Sequence, residues 1–316
     1  MKNPYLLYMA LTFALLLPPS TLADPTPYVY PPVNAYSVGM GSAGVALAHD
    51  PSIIFWNPGG IGLLDRLAVE FSMASSGLES PGSWAFIMAN SSDNDDNRFG
   101  LGIIRQHSEL DESTYKSYTV LLPLATSLKT NSLPIGMTVK MLSEKLNDED
   151  WHFGAGIDFG VMWQTKTGML LGLSRLNIFG SSLRSYERQT WFGFGWEKKD
   201  FPVKMGAQCR LDRPLDLDYI NQHYRTGVEI DLTDDKQTAK KEYQYSVQTG
   251  FIREGDTNYL SGGISALKIA DSVHFSYSMG VDTRTWSHRI YMLTYGYSSL
   301  IKKQPRSGLV KWSDYR

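Results

Sequence analysis

The chain has 316 residues, with 30 basic against 32 acidic side chains, a formal net charge of −2 and a single cysteine, Cys209. That balance removes the electrostatic case for nucleic acid, and one thiol removes any internal disulfide. Aromatic residues make up 12%, and 18 tyrosines, 8 tryptophans and 28 glycines suit an all-β chain with aromatic belts better than a helical enzyme.

Residues 1–23 read as an export signal: Lys2, an apolar run over 5–17 and a small-residue cleavage site at Thr21-Leu22-Ala23. The run is too short to span a bilayer as a helix, and no other segment reaches the roughly 18 apolar residues that a spanning helix needs. Residues 24–34 carry four prolines and read as an extended linker.

Residues 35–66, AYSVGMGSAGVALAHDPSIIFWNPGGIGLLDR, are unlike the rest. Gly39, Gly41, Ser42, Ala43, Gly44, Ala46 and Ala48 make the first half small and flexible. Asp50 suits an N-cap and Pro51 a first helical position, which predicts about one helical turn over 52–56. Asn57 precedes Pro58 and is pushed out of the helical region, and Gly59-Gly60 predict a sharp reversal. Gly39, Gly41 and Gly44 also satisfy G-x-G-x-x-G, but Pro31 and Pro32 upstream and Asp50-Pro51 downstream deny that fingerprint its strand and helix. A plug segment packing closely against a wall explains the glycines better.

From residue 67 onward the signal has period two. Over 151–164, Trp151, Phe153, Ala155, Ile157, Phe159, Val161 and Trp163 share one face. His152, Gly154, Gly156, Asp158 and Gly160 share the other, with Met162 the exception. The run is longer than a common strand of about 5–6 residues. It suffices for a tilted membrane crossing of about 9–11 residues. Clear copies fall at 203–211, 224–231, 243–251, 273–281 and 291–297. Weaker ones fall at 67–75, 84–90, 98–106, 115–124, 133–143, 168–176, 189–197 and 258–268, and Pro123 makes 115–124 a poor strand. The total of about fourteen is even, as in single-chain bacterial barrels. The expected fold is an all-β, transmembrane antiparallel β-barrel of about 14 strands over 67–298, with an N-terminal plug at 35–66. A basic tail follows at 299–316, with Lys302, Lys303, Arg306 and Lys311.

Glu70, Arg98, Lys140, Asp158, Lys204, Arg210, Arg225 and Glu229 all fall on the polar and glycine face. Charges of both signs there predict a wet lumen, since a cation facing lipid at mid-membrane costs about 2–4 kcal/mol. Phe153, Ile157, Phe159, Val247, Phe275 and Leu293 are expected to face lipid, and Cys209 fits the same apolar wall. A two-sheet soluble β-protein is the alternative, and it leaves the strand length unexplained. His152, His223 and His274 lie on separate strands and no G-x-S-x-G occurs, so no enzyme is expected. Asp93, Asp95 and Asp96 lack the spacing and closing glutamate of a calcium loop and read as a solvated turn. Neither a metal nor a cofactor is expected.

The block S-V-G-M-G-S-A-G-V-A-L-A-H-D-P-S-I-I-F-W-N-P-G-G-I-G resembles the N-terminal plug of the FadL-type outer-membrane transporter superfamily, and its wording is nearer the PorV/PorQ-like branch. The resemblance implies a fourteen-stranded barrel in the outer membrane of a diderm bacterium, its periplasmic mouth closed by the 35–66 hatch. Members of the first kind pass fatty acids or aromatic hydrocarbons. Their Asn-Pro element, matched by Asn57 and Pro58, lies near the ligand path, which here would take in Asp50, Phe55, Trp56, Asn57, Pro58 and Gly59. Members of the second kind are accessory barrels of protein secretion and surface attachment. The links between strands are all about a dozen residues or fewer, so large outer loops are missing. The implied partners are outer-membrane lipid and either a small hydrophobic ligand or secretion-system proteins, with the small ligand ahead.

Overall fold

The computed structural model describes residues 34–47, 50–64, 67–75, 83–91, 97–110, 113–128, 133–147, 149–165, 167–180, 188–197, 201–212, 216–232, 243–268, 273–282 and 289–298. The expected export signal, the expected proline linker up to residue 33, the link with Asp93, Asp95 and Asp96, and the basic tail lie outside the described residues.

Strands follow the alternation. They are β1 (Ala68–Ser75), β2 (Ser83–Ser91), β3 (Asn97–Leu110), β4 (Ser113–Leu128), β5 (Leu133–Leu146), β6 (His152–Gln164) and β7 (Met169–Gly180). Then come β8 (Gln189–Glu197), β9 (Val203–Arg210), β10 (His223–Asp231), β11 (Tyr243–Glu254), β12 (Thr257–Lys268), β13 (Val273–Asp282) and β14 (Arg289–Ser298). Each pairs antiparallel with the next, and β14 returns to pair with β1, which is the order of a closed barrel. The helices among the described residues are short: α1 (Ala35–Gly39), α2 (Ile53–Trp56), a 3₁₀ turn (Pro58–Leu63) and α3 (Leu217–Gln222). None is long and apolar enough to cross a membrane.

Odd strands run away from the rim where the chain enters β1, here the near rim, and even strands return from the far rim. Along β5 the side chains of Thr138, Lys140, Leu142 and Glu144 are buried while Met137, Val139 and Met141 are exposed. The same inversion holds around the ring: Phe153 is 76% exposed, Leu124 52% and Phe159 42%. An apolar outside and a charged inside is the reverse of a soluble barrel.

Residues 34–64 lie against the inward face. Ile53, Ile54, Trp56 and Ile61 form one buried cluster with Ile87, Ile104, Leu121, Met162, Leu170 and Trp191 of the wall. The wet lumen expected from the alternation is thus corrected in one sector: from β2 to β4 and from β6 to β8 the inward face is apolar where the N-terminal segment presses on it. Met162, the exception in its strand, is explained by that contact.

Two irregularities interrupt the wall. Pro123 does not break β4, which keeps its partners on β5 from Tyr115 to Leu128. On the β3 side, however, pairing jumps from Phe99–Leu124 to Gly102–Leu121, where proline has no N–H to give. Between β6 and β7 the register shifts between Ile157 and Phe159, so Leu176 and Asn177 are both buried in succession. Asn177 has φ +58, and its N–H donates to Asp158 Oδ1 at 2.8 Å, so a side chain takes the place of the lost ladder bond.

Candidate functional site

The site is the seat of the N-terminal segment on the wall, and the strand register builds it in rows. One inward row holds Glu197, Lys204, Glu229 and Gln248, the next Gly195, Gly206, Gly227 and Gly250, and the third Gly193, Gln208 and Arg225. Trp191, Arg210, His223 and Glu254 follow toward the far rim. The glycine row is a trough between two polar rows. The small-residue stretch sits in it because neither side has a side chain to stand it off. Gly41 has φ +61, and a Cβ there would come within 2.7 Å of the Phe251 nitrogen and 2.9 Å of its carbonyl oxygen.

An internal cap and polar contacts to the wall hold the stretch, among them Ser261 Oγ donating to Gly39 O at 3.4 Å. Asn34, the last residue of the predicted linker, caps α1: its Oδ1 accepts from Ser37 N at 2.7 Å. Tyr36 Oη donates to Glu229 Oε2 at 3.0 Å, and Lys204 Nζ stands 3.1 Å from the same carboxylate and 3.7 Å from Glu197. Burial, and then the charge of Glu229, hold the Tyr36 phenol well above its ordinary pKa. Further in, Val45 N donates to Gln208 Oε1 at 2.9 Å.

The expected turn begins at Asp50, whose Oδ1 accepts from Ser52 N at 2.8 Å, and regular helix starts only at Ile53. Asp50 is thus a turn residue. The reversal predicted at Gly59-Gly60 is instead the 3₁₀ turn, capped by Asn57. Asn57 is the joint of the whole segment. Its Oδ1 accepts from Gly59 N at 3.1 Å, while Nδ2 donates to Val45 O at 2.9 Å and to Val161 O on β6 at 3.0 Å. One buried amide therefore ties the second half of the segment to the first and both to the wall. Pro58 and Gly59 lie over Gly136 and Gly160, where added Cβ atoms would strike Gly59 N at 2.6 Å and Pro58 Cδ at 2.8 Å.

Trp56 does not face an open lumen. It packs on Gly44, meets the Phe55 ring edge-on at 5.1 Å, and lies 5.5 Å from the Arg225 guanidinium. Trp191 covers the guanidinium from another side at 4.6 Å, and Glu254 Oε2 accepts from Arg225 at 3.1 Å. Arg210 shares Glu254 at 3.7 Å and also pairs with Asp212.

The expected contact of Asp158, Lys204, Arg225 and Glu229 with water is corrected accordingly. Asp158 is 1% exposed and paired with Lys140 at 2.8 Å; Arg225 is 3% exposed. Glu229 is buried, and Lys204 is half-buried between two carboxylates. Charges withdrawn from water this far persist only when paired, which the alternation cannot reveal because it reports a face and not its neighbour. Glu70 and Arg98 also point inward and are buried, with Ser72 Oγ donating to Glu70 at 3.4 Å.

Two of the three histidines singled out have described side chains. His152 Nε2 stands 4.0 Å from Glu149, His223 Nδ1 meets Tyr219 O at 2.8 Å, and the His274 side chain lies outside the description. Phe275 and Leu293 are likewise on described backbone without described side chains. Missing from the sequence reading were Asn34, Tyr36, Trp191, Gln208 and Glu254. Trp191 was within reach, since it shares parity with Gly193 and Gly195 and is the one large residue on that side of β8.

No family model matches the sequence, and no curated protein sequence matches it. Solved structures do. A FadL homologue from Pseudomonas aeruginosa is 12% identical, with 84% of this chain and 98% of that chain covered at a TM-score of 0.54. The outer-membrane protein Omp33 of Acinetobacter baumannii is 9% identical over 75% of this chain and 100% of its own, at a TM-score of 0.41. BamA from Haemophilus ducreyi lacking POTRA domains 1–3 is 10% identical over 74% and 71%, at 0.40. The first likeness shows the fold of this chain: a β-barrel of the kind found among outer-membrane proteins.

Proposed function

We propose that the ring of fourteen strands is an outer-membrane barrel of a diderm bacterium, that residues 35–66 are its hatch, and that it passes small hydrophobic molecules of the fatty-acid or aromatic type. The observation that carries this reading is the Asn57 joint beneath an outward apolar belt. Asn57 ties the second half of the hatch to its first half and to the wall between Gly160 and Gly172, so a change at this one amide is expected to loosen that half. The likeness to a FadL homologue supports the same reading at the level of fold. The barrel acts on its cargo by binding and passage, with no covalent chemistry.

The test is uptake of a labelled fatty acid or aromatic hydrocarbon in cells with matched barrel levels. Asn57→Ala is expected to leave assembly intact and to change the uptake rate, and Trp56→Ala to do the same. A second reading, an accessory barrel of protein secretion or surface attachment, is favoured by the paired and buried charges around the hatch and by the short links between strands. If both variants take up ligand like the parent while deletion abolishes display of surface proteins, the accessory reading replaces the transporter.

A further inference from the structure

The inward and outward cations of this barrel are treated differently. Inside, Lys140, Lys204, Arg210 and Arg225 each face a carboxylate. Outside, at the far rim of β3, β4 and β5, Arg105, Lys116 and Lys145 form no ion pair among the described residues. The register crowds them together. His107 pairs across to Lys116 and Lys116 to Lys145, while Arg105, two residues nearer the barrel waist, pairs across to Tyr118. All share the parity of exposed apolar residues: Phe99 on β3, Leu122 and Leu124 on β4, and Met137 and Met141 on β5.

Two lysines directly opposite one another on a sheet face have Cβ atoms about 4.5–5.5 Å apart and repel. A fold gains nothing from that arrangement unless an anion sits on it. The level of the cluster identifies the anion. Immediately below it Tyr118 packs on Trp151 at 5.8 Å, and Trp84 pairs across to Arg105, an amphipathic aromatic layer of the sort that marks the boundary between hydrocarbon and headgroups. Below that, from Phe99 on β3, Leu122 and Leu124 on β4 and Met137 to Met141 on β5, the exposed outward side chains are apolar. Glu149 and Asp150 stand in the link beyond, further from the belt, where they meet water and where Glu149 faces His152.

We propose that Arg105, Lys116 and Lys145 seat the phosphate of an anionic membrane lipid whose acyl chains lie along the apolar belt beneath them. The inference rests on the membrane reading above. It adds a lipid site on the outer wall that is separate from the hatch.

The test places the whole chain in vesicles of phosphatidylcholine mixed with phosphatidylglycerol, one lipid at a time carrying brominated acyl chains, and reads tryptophan quenching. The expected result is stronger quenching by the brominated phosphatidylglycerol, and a preference that falls about fivefold for each cation replaced in a series ending at Arg105→Gln/Lys116→Gln/Lys145→Gln. The pair Lys116→Glu/Lys145→Glu should reverse the preference, and gel mobility before and after heating verifies that each variant folds. Equal quenching by the two lipids in the parent, or an unchanged preference in the folded triple variant, overturns the lipid site while the barrel stands. Displacement by millimolar inorganic phosphate as effective as that by phosphatidylglycerol also overturns it, since the cluster would then take free phosphate. If neither brominated lipid quenches the parent, the membrane reading itself fails.

Discussion

Arg225 shows how this barrel keeps charge in its interior: its cation lies between Trp56 and Trp191 and is neutralised by Glu254. Arg225→Ala removes a buried cation and leaves Glu254 to Arg210 alone, so a loss of about 3–5 kcal/mol is expected. The midpoint of denaturant unfolding in detergent checks it. Tyr36 yields a pH-linked prediction. Its folded pKa is raised, so its contribution is fully present below the unfolded value of about 10 and is lost as pH rises through the folded value. Parent and Tyr36→Phe are therefore expected to differ in stability by a constant amount below pH about 10 and to converge above it. A difference that stays flat to the highest pH at which both remain folded would show that Tyr36 holds no such proton.

At the scale of elements, the N-terminal segment depends on the glycines it rests on. Gly160→Val places a side chain where Asn57 Oδ1 lies. The expected outcome is a barrel that still shows heat-modifiable mobility but exposes residues 34–64 to protease, where the parent resists. Much of this level was legible beforehand, because period two is a local property. Segments predicted at 133–143, 151–164 and 189–197 became β5, β6 and β8 with shifts of a few residues at their ends. The short helical turn before Asn57 was legible from Pro51 and Pro58. What stayed hidden depends on distant neighbours. The cap by Asn57 replaced a reversal because its side chain found Gly59 N, Val45 O and Val161 O together. The apolar sector of the inner wall needed residues 53–61 to be in place before Ile87, Ile104 and Leu121 had a reason to face inward. The bulge at Asp158 came from a register shift that alternation within one strand does not record.

For the whole molecule, the exposed belt and the buried charges make opposite predictions for chemical access. In a Cys209→Ser background, single cysteines at Phe153, Phe159 and Val247 should be shielded from aqueous thiol reagents in bilayers and open to them after extraction into a small detergent. A cysteine at Asp158 should resist in both states. Equal aqueous reactivity of the belt positions in bilayers would show that lipid does not cover them. The path of residues 34–64 adds something of a different kind. Ala35 and Val38 lie against Ala74 near the far end of β1; the segment then reaches Glu229 through Tyr36 and Gln208 through Val45, turns at Asn57 and leaves by Pro134 at the near rim. Hydrogen bonds and packing alone fasten it between those points, and the covalent chain holds it where β1 begins. The filling can therefore shift inside the hoop, swinging on that tether, without parting a single pair of strands.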